Sequence, residues 1–168
     1  MGSGYCGSNR MTATISVQFH FWRYVLIHTA TCRCGECVIE VQGESIANLV
    51  CHCTSCKRRT GGPCGWTATF REDQVLTRRG DFKVYNSDGT VGRVANSFCS
   101  ACGTTLFFTP AEFPGVIGCA GGCFIDNPLG EPTVSASDDL RCAWLHLPDG
   151  WEVRTSAMAE ARRPRRSS

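Results

Sequence analysis

Apolar and polar side chains alternate from Ile15 to Phe21, with Ile15, Val17, Phe19 and Phe21 set against Ser16, Gln18 and His20. That is the period of a half-buried strand, in which successive side chains point to opposite faces. Shorter alternations recur at Cys37, Ile39 and Val41, at Cys64, Trp66, Ala68 and Phe70, at Phe82 and Val84, and at Leu106 and Phe108. Turn-forming groups separate them: Gly43-Glu44, Gly61-Gly62-Pro63, Ser87-Asp88-Gly89 and Phe113-Pro114-Gly115. Many short strands at close spacing predict a small, mainly β, chiefly antiparallel domain. Helical signal is confined to one short turn over 54–60 and a second around 137–142, with Ser137 or Asp138 as its cap.

The 168 residues, 42% of them hydrophobic, suit one globular domain with a real core, expected over 15–155. Residues 1–14 lack periodicity and read as a disordered leader. Residues 156–168 end in Arg162-Arg163-Pro164-Arg165-Arg166 and read as a disordered basic tail. The net charge is +2, but arginines near the C-terminus supply it and the body before them is close to neutral. A basic cluster without interleaved aromatics offers no sequence-specific readout of nucleic acid, so that partner is not expected. The apolar stretch from Ile15 to Ile27 is broken by Gln18, His20 and Arg23, too polar for a signal core or a membrane span. The expected compartment is therefore the cytoplasm.

Thirteen cysteines change the picture. Their odd number disfavours complete pairing, and their grouping as C-x-C, C-x-C-x-x-C and C-x-x-C is that of thiols gathered around a shared ion. On a strand, Cys32 and Cys34 would share a face with Arg33 turned away, and Gly35 would let the chain leave the metal. Phe98-Cys99-Ser100-Ala101-Cys102-Gly103 reads as a knuckle, two thiolates bracketing a tight loop with a glycine for positive φ. Joined, Cys32, Cys34, Cys99 and Cys102 make a closed four-thiolate zinc site of structural type. Cys51-His52-Cys53-Thr54-Ser55-Cys56 supplies a trio, Cys51, Cys53 and Cys56, with His52 expected on the opposite side. Three protein ligands leave a fourth position for water or substrate, the mark of a catalytic zinc. Thiolate-rich zinc favours soft ligands, which makes a small-molecule thiol or thiol adduct the natural substrate. Lys57, Arg58 and Arg59 are candidate anchors for its carboxylate. Cys6, Cys37, Cys64, Cys119, Cys123 and Cys142 are expected to be free thiols, five of them as small hydrophobes, with Cys37 and Cys64 the best candidates for exceptions. Trp66, Phe98, Phe107, Phe108 and Trp144 are expected in the core. The glycines of 115–122 lack the Gly-Lys-Ser/Thr ending of a phosphate loop.

Cys32-Arg33-Cys34-Gly35, Cys51-His52-Cys53-Thr54-Ser55-Cys56 with the following Lys57-Arg58-Arg59-Thr60-Gly61, and Phe98-Cys99-Ser100-Ala101-Cys102-Gly103 together resemble the glutathione-dependent formaldehyde-activating enzyme family, which also contains centromere protein V. The resemblance runs from about Thr31 to Gly150. It implies a β-tent-like zinc fold, with Cys32, Cys34, Cys99 and Cys102 on the structural zinc and Cys51, Cys53 and Cys56 on the catalytic one. It also implies a carbon–sulfur lyase resembling S-(hydroxymethyl)glutathione synthase, acting on glutathione and formaldehyde. The alternative within the family is a non-catalytic zinc-binding interaction module, like centromere protein V, whose basic tail contacts nucleic acid or a partner. Pro132 to Arg141 lacks the histidine and tryptophan many members carry after that proline.

Overall fold

The computed structural model describes residues 26–89, 92–125 and 129–161. Eleven strands and two α-helices lie among them, and the alternating segment at 15–21 falls outside. A three-stranded antiparallel sheet runs in the order β1 (Ile27–Thr31), β2 (Val38–Gln42), β5 (Val75–Arg79). A larger sheet of eight strands begins with β11 (Glu152–Arg154), β10 (Val134–Ala136), β3 (Ala47–Cys51) and β4 (Gly65–Arg71). It continues through β9 (Val116–Ala120), β8 (Thr105–Pro110), β7 (Gly92–Cys99) and β6 (Phe82–Gly89). The mainly β expectation holds, with one addition: β10 pairs in parallel with both β3 and β11.

Alternation along the large sheet separates two faces. On one, Ala68, Phe70, Ile117, Cys119 and Phe107 pack with Ala30, Ile39 and Val41 from the small sheet, forming the core. Phe70 and Phe124 are almost wholly buried, their rings tilted at 6.3 Å, with buried His28 beside both. Because neighbours fill that space from both sheets, Phe70→Ala should leave a cavity and lower stability by about 3–5 kcal/mol, measurable as a shift in the urea midpoint.

On the other face, Leu49 and Cys51 of β3, Thr67 and Thr69 of β4, Val116 and Gly118 of β9, Phe108 and Pro110 of β8, and Val94 and Asn96 of β7 follow one another at the two-residue period. Register places Leu49 opposite Thr67, Thr69 opposite Gly118, Phe108 opposite Gly118 and Asn96 opposite Phe108. No second sheet covers this face among the described residues; it forms the wall of a cavity instead.

Helix α1 (Thr54–Thr60) starts where Cys53, in extended conformation, accepts the Cys56 N–H on its Sγ at 3.4 Å. Lys57, Arg58 and Arg59 in its last turn complement the helix dipole, and the Gly61 N–H closes it on the Lys57 carbonyl. The second helical signal becomes a 3-10 turn at Asp138–Leu140. The tail expected from 156 onward is helical in its first residues, α2 (Ser156–Ala161). Asp139 explains this by accepting both the N–H and the hydroxyl of Ser156 at the start of the helix. No helix among the described residues is long and apolar enough to cross a membrane.

Candidate metal and substrate site

Two groups of thiols come together, each with its sulfur atoms within 4.8 Å of one another: Cys32, Cys34, Cys99 and Cys102, and Cys51, Cys53 and Cys56. Both sets are those expected from spacing, and both could hold a metal ion. The local geometry differs from the strand argument, however. Cys32 and Cys34 lie in the turn after β1, where the Gly35 N–H donates to the Cys32 carbonyl and the Cys37 N–H to the Cys32 Sγ at 3.2 Å. A turn brings sulfurs two residues apart closer than a strand does, and these two stand 3.4 Å apart. Cys99 ends β7, and the Gly103 N–H returns to its carbonyl at 2.9 Å with Gly103 at φ 73°, where a side chain would be strained. Cys34 and Cys99, sixty-five positions apart, approach to 3.7 Å. The cluster therefore fastens the first strand of the small sheet to the seventh strand of the fold.

Thiols this crowded cannot all ionise unaided. Neighbouring Cys51 and Cys53, together with burial, push Cys56 far above the ordinary thiol range, and Cys51 is raised chiefly by Cys53. In the other cluster Cys102 is lowered to about 5, mainly by the Thr104 hydroxyl at 3.2 Å. Cys34 accepts the Glu36 N–H, which favours its thiolate, yet its sulfur neighbours and burial outweigh that and raise it to about 12. A divalent cation among the sulfurs reverses this repulsion and lets every thiol bind as thiolate.

Cys51 sits at the end of β3, Cys53 caps α1, and Cys56 lies in its first turn. All three line a cavity of about 430 Å³. His52 does not line it, as expected: its ring is fully buried, and burial lowers its pKa, which favours the neutral form. Behind the trio the chain passes Ser137, buried and at φ 52°, followed by Asp138, which accepts from Ser135 and pairs with Arg141.

The three basic candidates take separate places. The Lys57 Nζ donates to the Leu140 carbonyl at 2.6 Å and ties α1 to the turn at 138–140. Arg58 is exposed along a groove of about 800 Å³ that also holds Tyr85, Asp88 and Phe98. Arg59 lines both groove and cavity, its guanidinium 4.8 Å above the Phe108 ring and its Nη2 buried with no hydrogen-bond partner. Phe108 can lie flat here because its neighbour is Gly118, where any Cβ would stand 2.4 Å from the ring.

Among the aromatic expectations, Phe107 is in the core and Trp66 packs against it, giving its indole N–H to Asn48. Phe108 and Phe98 instead line the cavity and the groove, because the large sheet leaves their face uncovered. Trp144 is 67% exposed, in the turn that the Leu145 N–H closes on the Cys142 carbonyl. Cys37, Cys64, Cys119, Cys123 and Cys142 are free thiols that join neither metal cluster. The cavity walls at Leu49, Thr67, Thr69, Asn96 and Val116 were not foreseen. Their alternation was visible, but alternation alone does not tell a solvated face from a binding face.

The model of a family described as glutathione-dependent formaldehyde-activating enzyme matches residues 27–138. Among solved structures the chain is similar to a Rhodobacter sphaeroides protein at 25% sequence identity. That match covers 58% of this chain and 87% of that one, with a TM-score of 0.46. No match is found among curated proteins.

Proposed function

The chain belongs to the glutathione-dependent formaldehyde-activating enzyme family, and from that premise we propose that it is a zinc-dependent carbon–sulfur lyase that makes or breaks a thiol–aldehyde adduct at Cys51, Cys53 and Cys56. The observation that carries this reading is the cavity of about 430 Å³ lined by all three thiols of the trio. An interaction module has no need of such a chamber.

The donor set suits zinc at both places. A tetrahedral ion with bonds of about 2.3 Å holds its sulfurs about 3.8 Å apart, close to the 3.4 and 3.7 Å found in the four-thiol cluster. Cys32, Cys34, Cys99 and Cys102 would hold a structural ion, and the trio a second one with a position open to the cavity. When bound there, zinc lowers the pKa of an incoming thiol and keeps it deprotonated near neutral pH. The chain's own residues do the rest. Apolar cavity walls flank the reacting carbon, the Arg59 guanidinium stands where cavity and groove meet to attract an anionic group of the thiol, and α1 holds Arg59 and Cys56 three residues apart on one helix. The thiol gives its proton up to solvent, the sulfur–carbon bond forms as the carbonyl π pair moves onto oxygen, and that oxygen takes a proton back from solvent to become the hydroxyl; the reverse sequence breaks the bond.

The direct test is exchange between formaldehyde plus glutathione and their hemithioacetal, followed by NMR on the zinc-loaded protein. Acceleration that disappears on chelation supports the reading, and a rate equal to the buffer rate overturns it. Arg59→Ala should raise KM for the glutathione adduct about ten- to a hundredfold, the worth of a charged hydrogen bond of about 1.5–3 kcal/mol, with a smaller effect on kcat. Arg59→Lys keeps the charge but loses the fork over Phe108, so it should restore part of that binding.

A further inference from the structure

The cavity and the groove differ in chemistry. Around the trio the cavity is walled by Ile46, Leu49, Val94, Phe113 and Val116, and Arg59 is its one charged side chain. The groove carries Arg58, Arg59 and Asp88, two cations and an anion, among polar neighbours. Ser55, Arg59 and Asn96 line both spaces. Formaldehyde brings a single carbon and needs none of the apolar wall. A glutathione-like peptide, with two carboxylates and an ammonium, matches the charges of the groove but not the apolar chamber.

We infer that the adduct accepted at this site is one of a glutathione-like thiol with an aldehyde bearing a medium-length alkyl or aromatic substituent, the peptide lying in the groove and the apolar group filling the cavity. This rests on the thiol-adduct reading for the place of the sulfur beside Cys51, Cys53 and Cys56. Allowing each methylene-sized group about 30 Å³, a water's share of liquid volume, the cavity takes on the order of a dozen heavy atoms, enough for a hexyl chain or a benzyl ring. The chemistry balances without an oxidant or reductant. The S–H bond of the thiol breaks, the S–C bond forms to the carbonyl carbon, and the C=O π pair takes the proton to become the hydroxyl.

Stable S-alkylglutathiones separate this inference from the lyase reading, because they bind without reacting. Titrating the zinc-loaded protein with S-methyl-, S-butyl- and S-hexylglutathione in a calorimeter should show Kd falling about fourfold for each methylene buried. Val116→Phe fills the cavity from β9 and should cut the hexyl-over-methyl preference about tenfold or more. Ile46→Trp does so from a rim position that is half exposed and tolerant of bulk, so it serves if the first variant folds poorly. S-hexylglutathione binding no more tightly than S-methylglutathione overturns the inference, as does a preference unchanged in both variants. If the hexyl preference is present but no hemithioacetal exchange is catalysed, the ligand class stands and the lyase reading falls. If exchange is catalysed with formaldehyde while chain length has no effect on binding, the lyase reading stands and this inference falls.

Discussion

Cys99→Ser is expected to abolish the cooperative melt of the protein. Cys99 is wholly buried at the end of β7 and stands 3.7 Å from Cys34, sixty-five positions away, so the cluster joins the small sheet to the far half of the large one. A structural zinc contributes an apparent binding energy of about 10–16 kcal/mol in small folds, as much as or more than the total stability of a domain, about 5–15 kcal/mol. Serine is a poor ligand for a soft-donor ion, and the three remaining thiols would hold it far more weakly. Cys32→Ser should behave alike, since it also loses the sulfur that accepts the Cys37 N–H. Differential scanning calorimetry with zinc analysis of the soluble fraction checks this: a sharp melt retained in either variant would mean that the cluster does not hold the fold together.

Cys56→Ser and Cys53→Ser should fail in a different way, staying folded but losing one bound ion and turnover. The trio lies within six residues at the junction of β3 and α1, and no long loop is closed through it. Serine at 53 keeps an N-cap acceptor for the Cys56 N–H, so α1 should survive that change. What would disappear is the ion proposed to hold the reacting thiol deprotonated, a contribution of several kcal/mol. At about 1.4 kcal/mol per tenfold change, turnover should fall on the order of a thousandfold. Melting curves, zinc stoichiometry and hemithioacetal exchange on the same preparations distinguish the outcomes. If Cys56→Ser unfolds as badly as Cys99→Ser, the trio is structural and the interaction-module reading takes precedence.

The local thiol groups, Cys32 with Cys34, Cys99 with Cys102, and Cys51 with Cys53 and Cys56, were legible in the residue spacing because thiols a few positions apart must be neighbours in space, while the joining of the first two pairs across sixty-five positions was expected only from the four ligands a closed site needs. The backbone assumed for them was less secure. Cys32 and Cys34 read as one strand face yet occupy a turn, since alternation and a tight loop can both bring i and i+2 together. Helix α1 was legible from its short run after Cys53 and its closing Gly61, both local features. Helix α2 was not, because it depends on Asp139, seventeen positions before Ser156, to satisfy its first N–H. Trp144 was misplaced for a related reason: an aromatic side chain predicts burial only if some element arrives to cover it, and among the described residues none brings its exposure below 67%.

The sequence by itself determined which cysteines belong together, that the domain is mainly β, and that Lys57, Arg58 and Arg59 stand next to the trio. The trio and its neighbouring cations follow from short-range spacing, the β character from alternation repeated along the chain, and the four-thiol set from the ligand count of a closed site. Only the tertiary structure decided which of those three cations is available. Lys57 donates to the Leu140 carbonyl eighty-three positions away, while Arg59 is stacked on Phe108 and lines both the cavity and the groove. It likewise decided that one face of the large sheet is a core and the other a chamber. The alternation of β4 is the same in both cases, and the difference lies in the small sheet packing against Ala68 and Phe70 while Thr67 and Thr69 line the cavity.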